Sequence, residues 1–310
     1  MCLQSKSKSL VTVIVPAYNH QEFVKDTIES IVNQTYGYEN IELIVIDDFS
    51  SDNTAKILKE LSEKYSFVFI KNEANHGVVK NINSMLKIAN GKFIALCASD
   101  DYFDIHKIEK QVKVLESCSE EFVVCHTNAS IIDKNNKFLF FQDKGNEFQG
   151  NIFPKILIHN SIVAPSALYR NEIFKNIGFF DESIFFEDRE MWIRIGLKYK
   201  FVHIDEPLVY RRHHKSNLSR DMKKWYQSYS SIFKKYNEYF KKYNLIERYH
   251  YIMFTHLSSS NFRLSFYHLL KSKSLFFKKQ SVYAIFKLTV PRLFLKSGIA
   301  LKIKSYLKSW

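Results

Sequence analysis

From residue 11 to residue 101 short apolar runs alternate with amphipathic segments, and this alternation constrains the fold more than any other feature of the chain. Val11-Thr12-Val13-Ile14-Val15 reads as a buried strand, and residues 22–33 read as a helix with Val24, Ile28, Ile31 and Val32 on one face. Residues 41–46 form the second apolar run, followed by a helix that Asp52 or Asn53 would cap and that runs to about Tyr65. A short strand over 67–70, a helix over 77–89 and a strand over 92–97 complete the series. Apolar runs joined by helix-length crossovers imply parallel strands covered on both faces, and hence an α/β fold with a mostly parallel sheet.

Beyond Glu121 the pattern is less regular. Residues 122–126 and 137–141 read as strands around an Asp133-Lys134-Asn135-Asn136 turn, 162–169 as a further strand, and 188–198 as a helix with Met191, Trp192 and Ile195 turned inward. From Met222 the chain reads as helix rich in Lys, Phe and Tyr, broken late by Pro291, so an α/β domain over 1–220 and a basic helical region over 221–310 are expected. Charge follows the same division. Of a net +13, residues 222–310 carry +16, from 18 Lys and Arg against Glu238 and Glu247, which leaves the first 221 residues at −3.

Such a tail reads as a solvated helical face, or as an amphipathic surface for an anionic membrane, suggested by Phe276-Phe277-Lys278-Lys279 and Phe286-Lys287. It has no zinc-finger, RNA-recognition or basic-zipper signature, so no nucleic-acid partner is expected. No apolar run reaches the roughly 18 residues of a membrane span, and Met1-Cys2-Leu3-Gln4-Ser5-Lys6 lacks the apolar core of a signal peptide. Cys2, Cys97, Cys118 and Cys125 show no CxxC spacing, which fits a reducing cytoplasm.

The strand over 92–97 releases two adjacent carboxylates, Asp100 and Asp101. Repulsion and desolvation penalise such a pair unless a cation shares the site or one acid caps the helix that follows near Asp104. A hard divalent ion held by carboxylates and substrate phosphates would relieve the penalty. Open parallel sheets bind ligands beyond the carboxyl ends of their strands. Four polar clusters fall at such ends: Pro16-Ala17-Tyr18-Asn19, Asp47-Asp48-Phe49-Ser50, Asn75-His76-Gly77 and Ser99-Asp100-Asp101.

In order and spacing these pieces, with Phe186-Glu187-Asp188 and Tyr210-Arg211-Arg212-His213 further on, resemble the family-2 inverting glycosyltransferases of the kind that builds bacterial surface polysaccharide. The resemblance covers residues 11–219 and implies the GT-A nucleotide-sugar-binding fold, with a mostly parallel, Rossmann-like sheet. It implies that Pro16, Tyr18, Asn19 and Asp48 line the nucleotide pocket, with Asp48 accepting from a base N–H. Lys80 would reach the nucleotide phosphates, and Asp100 would contact ribose or metal. Asp101 and His213 would hold Mn²⁺ or Mg²⁺. His214, beside His213, is the competing histidine. Phe49 stands where relatives often carry Gly.

The same resemblance implies a single displacement at the anomeric carbon of a nucleotide-diphosphate sugar, with a UDP-sugar expected and a hexosyl or N-acetylhexosaminyl group transferred. A general base must take the acceptor's proton from the opposite face of the sugar. Asp188, just before the Met191-Trp192 helix, is the first candidate and Glu187 the second. The expected acceptor is a glycan or a polyprenyl-linked saccharide, which would bring a cytoplasmic enzyme to the inner face of the cell membrane. A nucleotide-sugar-binding scaffold without transfer activity is the alternative from another class.

Overall fold

Strand β1 (Val11–Ala17) is buried along almost its whole length and pairs in parallel with β2 (Ile41–Asp47). β3 (Val68–Lys71) adds to the far side of β2, and β4 (Phe93–Leu96) pairs with β1 on the other side, both again parallel. Helices α1 (Val24–Val32), α2 (Thr54–Tyr65) and α3 (Val78–Ile88) form the crossovers. Val11, Val13 and Val15 alternate onto one face, where they pack in one core with Ile28, Ile31 and Leu58 from α1 and α2. α3 lies against β1 and β2 with Val79, Ile82, Met85 and Leu86 buried. Gly91 opens the last strand of this series because a Cβ there would collide with the backbone nitrogen and hydroxyl of Thr12.

This structure is a computed structural model, and it describes residues 7–142, 147–160, 162–214, 221–258 and 261–272. The chain divides into two units, Met1–Asn217 and Leu218–Trp310, each described by itself. In the first unit the sheet has nine strands in the order β3-β2-β1-β4-β8-β6-β9-β5, with β7 paired to β6. After β4 come β5 (Tyr102–Phe103), α4 (Lys107–Ser117), β6 (Phe122–Asp133), β7 (Phe138–Gln142), β8 (Leu168–Arg170), α5 (Glu172–Ile177), α6 (Glu187–Gly196) and β9 (Lys200–His213). β8 is antiparallel to both β4 and β6, whereas β9 runs parallel to β6. The parallel part is thus the βαβ series legible in the sequence, and the second half is mixed.

Two expectations change here. The run 162–169 is a strand only from Leu168, because Ala164–Ser166 is a short 3₁₀ turn around Pro165, which has no N–H for a ladder. β6 continues to Asp133 instead of stopping near His126. β9 spans fourteen residues although its sequence holds Pro207 and several charges; the pairing with β6 skips from Ile204 to Pro207 through an irregularity that absorbs the proline.

The second unit is helical where it is described: α7 (Met222–Lys235), α8 (Asn237–Lys242), α9 (Ile246–Leu257) and α10 (Phe262–Lys271). Asp221 caps α7 by accepting from the backbone N–H groups of Lys223 and Lys224 at 3.0 and 3.1 Å. Phe240, Met253, Phe254 and Leu257 are buried in this unit. Among the described residues no helix is long and apolar enough to cross a membrane. The Phe-Lys pairs at 276–279 and 286–287, and Pro291, lie outside the described residues.

Candidate active site

The carboxyl ends of β1, β2 and β4 and the head of α3 come together, as an open parallel sheet requires. At the end of β1, Tyr18 is about half exposed at 47 % and Pro16 is half-buried. Asn19 adopts a left-handed backbone at φ 54° and fastens this loop to the next: its Oδ1 accepts from the backbone N–H of Ser51 at 2.8 Å, and its own N–H donates to Ser50 Oγ at 2.9 Å. Phe49, where a glycine was the expected family residue, is itself left-handed at φ 64°, so the loop keeps a glycine-like turn with a bulkier side chain.

Asp48 is buried and organises the start of α3. Its Oδ1 accepts from His76 N at 2.8 Å and Asn72 Nδ2 at 2.9 Å, and its Oδ2 accepts from Gly77 N at 2.9 Å. Burial alone would raise its pKa, but hydrogen bonds from Asn81, His76, Asn72 and Gly77 together outweigh burial and hold it below the usual range. Gly77 makes this geometry available, since it caps α3 at φ 87°. Lys80 sits on the first turn of α3 and is exposed.

Beyond β4 the chain turns tightly, with Asp101 N donating to Ala98 O at 3.0 Å. The hydroxyl of Thr27, on α1, lies 3.0 Å from Ser99 O and 2.7 Å from Asp101 O. The two carboxylates then face different partners. Asp100 Oδ2 is 2.9 Å from Nε2 of His214, whereas Asp101 Oδ1 accepts the backbone N–H of Arg212 at 2.8 Å. Burial pushes Asp100 up, but the hydrogen bond from His214 and the charges of His20 and His214 bring it below its ordinary value. Burial and, next, the charge of Asp100 drive Asp101 well above its own.

One cluster among the described residues could hold a cation: the ligand atoms of His20, Asp100 and His214 lie within 4.8 Å of one another. An ionised carboxylate with two imidazoles is a mixed oxygen–nitrogen donor set, which a divalent transition ion such as Mn²⁺ accepts more readily than Mg²⁺. The resemblance implied Asp101 and His213 as metal ligands and gave Asp100 to ribose or metal. In the structure Asp101 Oδ1 accepts the backbone N–H of Arg212, and His214 stands beside Asp100. β9 ends at His213, which is exposed, and the two-residue repeat of an extended chain returns Arg212 and His214 to the same side. His20 carried no signal in the sequence beyond its place two residues after Tyr18; its Nδ1 is 2.8 Å from Ser99 Oγ.

Glu187 and Asp188 open α6, both partly buried. Burial, reinforced by the charge of Asp188, pushes Glu187 up to about 8. Burial also raises Asp188, opposed by the N–H of Arg189, which donates to Oδ1 at 2.6 Å, and by the charges of Arg189 and Arg211. The guanidinium of Arg211 lowers both Asp101 and Asp188, so the acidic turn and the head of α6 lie within electrostatic reach of one cation. Neither Arg211 nor Arg212 could be assigned a role from sequence, because their partners are spread from α1 to α6.

The family model described as "Glycosyl transferase family 2" matches residues 12–178. The chain is similar to a glycosyltransferase of Rickettsia bellii (strain RML369-C), with 33 % identity over 196 residues, which cover 63 % of this chain and only 28 % of that one. It is 32 % identical over 231 residues to the glycosyltransferase MJ1057 of Methanocaldococcus jannaschii, covering 73 % of this chain and 79 % of the relative. Over 108 residues, 35 % of this chain and 42 % of the relative, it is 39 % identical to an Escherichia coli protein described as UDP-Glc:alpha-D-GlcNAc-diphosphoundecaprenol beta-1,3-glucosyltransferase WfaP. Its fold is similar to that of the mannosyltransferase PcManGT from Pyrobaculum calidifontis in complex with GDP-Man and Mn²⁺, with TM-score 0.64, 17 % identity and coverage of 98 % and 83 % of the two chains. It is similar also to S. aureus TarS 1-349 in complex with UDP-GlcNAc, with TM-score 0.58, 16 % identity and coverage of 90 % and 88 %. These matches extend a GT-A-like architecture over the acidic turn and the β1, β2 and α3 loops, and the chain belongs to glycosyl transferase family 2.

Proposed function

We propose that this chain is a metal-dependent, inverting glycosyltransferase that moves a hexosyl or N-acetylhexosaminyl group from a UDP-sugar to a glycan or lipid-linked acceptor in surface-polysaccharide assembly. The observation that carries this reading is the meeting of Asp100, His214 and His20 from the ends of β4, β9 and β1, with Arg211 within electrostatic reach of both the acidic turn and Asp188. The UDP donor is supported by the E. coli relative and by the S. aureus neighbour, whose descriptions name UDP-Glc and UDP-GlcNAc. A lipid-linked acceptor is supported by the diphosphoundecaprenol in the E. coli relative's name. Such an acceptor would bring a cytoplasmic enzyme to the inner face of the membrane, with the basic region over 221–310 as one candidate contact.

In this mechanism Tyr18 and Asp48 bound the base pocket, and the amides at the head of α3, with Lys80, face the diphosphate. Asp100 with His214 and His20 would hold the divalent ion, which when bound neutralises charge on the departing diphosphate. Asp101 fixes the turn through Arg212. Burial and the charge of Asp188 raise Glu187 to about 8, so Glu187 holds its proton at neutral pH and Asp188 is the member assigned as base. Asp188 Oδ1 is engaged by Arg189 N, and Oδ2 takes the proton of the acceptor hydroxyl as that hydroxyl attacks. Its raised pKa strengthens it as a base.

A panel of nucleotide sugars screened for binding and for diphosphate release tests the donor class. Asp188→Asn should keep donor affinity and lose about two to four decades in transfer rate. Unchanged rate, or affinity lost together with rate, would contradict the assignment of the base.

A further inference from the structure

β7 places four consecutive large apolar side chains at the surface: Phe138, Leu139, Phe140 and Phe141, exposed by 48, 44, 52 and 56 %. No other run of four occurs among the described residues. Among the described residues β7 pairs only with β6, whose facing residues Ser130, Ile131 and Ile132 are buried, so it forms an edge there. Exposed apolar edge strands are what soluble proteins avoid.

The hairpin is also held stiff. Asp133 Oδ1 accepts from Asn135 N and Lys137 N at 2.8 and 3.0 Å across the turn. Arg212 Nη1 ties the turn to the acidic loop by donating to Lys134 O at 3.3 Å and to Asn136 Oδ1. The pairing passes from Ile131↔Phe140 to Ile132↔Phe138, leaving Leu139 as a bulge, and the rings of Phe138 and Phe141 meet at 4.6 Å.

We propose that the β6–β7 hairpin is a membrane-docking element that seats its aromatic edge in the interface of an anionic phospholipid bilayer. Two observations choose this occupant. Phe140 and Phe141 are adjacent on a strand and leave on opposite faces, and both are more than half exposed. A protein partner laid against one face would leave the other bare, whereas a lipid interface surrounds the edge. Lys134 and Lys137 are exposed at the turn beside the aromatic residues, while Asp133 is engaged within the turn. Lysine beside aromatic and aliphatic side chains is the pattern of interfacial anchors. The inference rests on the lipid-linked acceptor proposed above, and through Arg212 it sets the docking edge next to the donor turn.

The test uses the full chain, the triple variant Phe138→Ser/Phe140→Ser/Phe141→Ser, and Lys134→Glu/Lys137→Glu. Partition onto phosphatidylcholine vesicles with and without phosphatidylglycerol is measured at low salt and at 0.5 M salt. The parent should bind anionic vesicles, and the serine variant should bind at least ten-fold more weakly at both salt concentrations, with unchanged circular dichroism. The glutamate variant should lose the preference for anionic lipid. In Phe140→Trp the added emission should shift to the blue with vesicles and be quenched by brominated lipid. Undiminished binding by the serine variant, or no binding by the parent, overturns the proposal. So does a parent dimer without vesicles that becomes monomeric in the serine variant, because the edge would then join two copies. Donor binding measured on the same samples separates this result from the functional reading: an intact donor site with no vesicle binding fails only the docking element, and the reverse fails only the activity.

Discussion

The backbone N–H of Arg212 donates to Oδ1 of Asp101 at 2.8 Å, and the Nε of the same arginine donates to the carbonyl of Asp100 at 2.9 Å. One residue of β9 therefore fixes both members of the acidic pair, the first through its main chain and the second through its carboxylate. The guanidinium is buried, stacks over Phe23 with its carbon 4.6 Å from the ring centre, and reaches Asp26 on α1 at 3.2 Å. Oδ1 of Asp101 is thus held by the clamp, and Asp100 is turned toward His214.

Removing the clamp should be costly. Arg212→Ala leaves the carbonyl of Asp100 and the turn at Asn136 without a buried donor, and should lower stability by about 2–4 kcal/mol. Asp26→Asn should cost less than about 1 kcal/mol, because the Asp26 side chain is about half exposed and its ion pair is screened. Denaturant unfolding of the two variants checks the order; equal losses would mean that the ion pair, rather than the hydrogen bonds to the turn, holds the clamp.

At Phe49 the sequence and the backbone disagree. A non-glycine residue at φ 64° costs about 1–2 kcal/mol, and the Phe49 ring is 54 % exposed, so packing does little to offset that cost. Phe49→Gly should therefore raise the thermal midpoint by a few degrees. A lower midpoint would show that the added chain entropy of glycine exceeds the strain relieved.

Glu187 sets a pH dependence. Its folded pKa of about 8 lies above that of an unfolded glutamate, so the folded state holds this proton more tightly. The resulting stability is fully present below about pH 4.3, the unfolded value, and is lost as pH rises through about 8. Glu187→Gln should flatten that decline and be more stable than the parent at pH 9. Parallel stability curves for the two proteins between pH 5 and 9 would place the titration elsewhere.

How far these features could be read in advance depends on how local their causes are. β1, β2 and β4 announce themselves through short, mostly apolar runs, and the acidic pair through its position after one. β9 does not, since Pro207 and its charges mask a strand that only its parallel partner β6 makes visible. The choice between His213 and His214 turns on where β9 stops, a matter of one residue that reverses the side the ring takes. His20 and Arg212 are unreadable for another reason: each acts by joining segments some eighty or more residues apart.

The central claim is that Asp100 and His214 hold a divalent ion on which turnover of a nucleotide sugar depends. It is tested most directly by nucleoside-diphosphate release from a UDP-sugar by the full chain, with Mn²⁺ or excess chelator, in the parent, His214→Ala and His213→Ala. Release should require the ion, fall by at least ten-fold in His214→Ala and survive in His213→Ala. Release indifferent to chelator, or lost in His213→Ala while His214→Ala remains active, would contradict it.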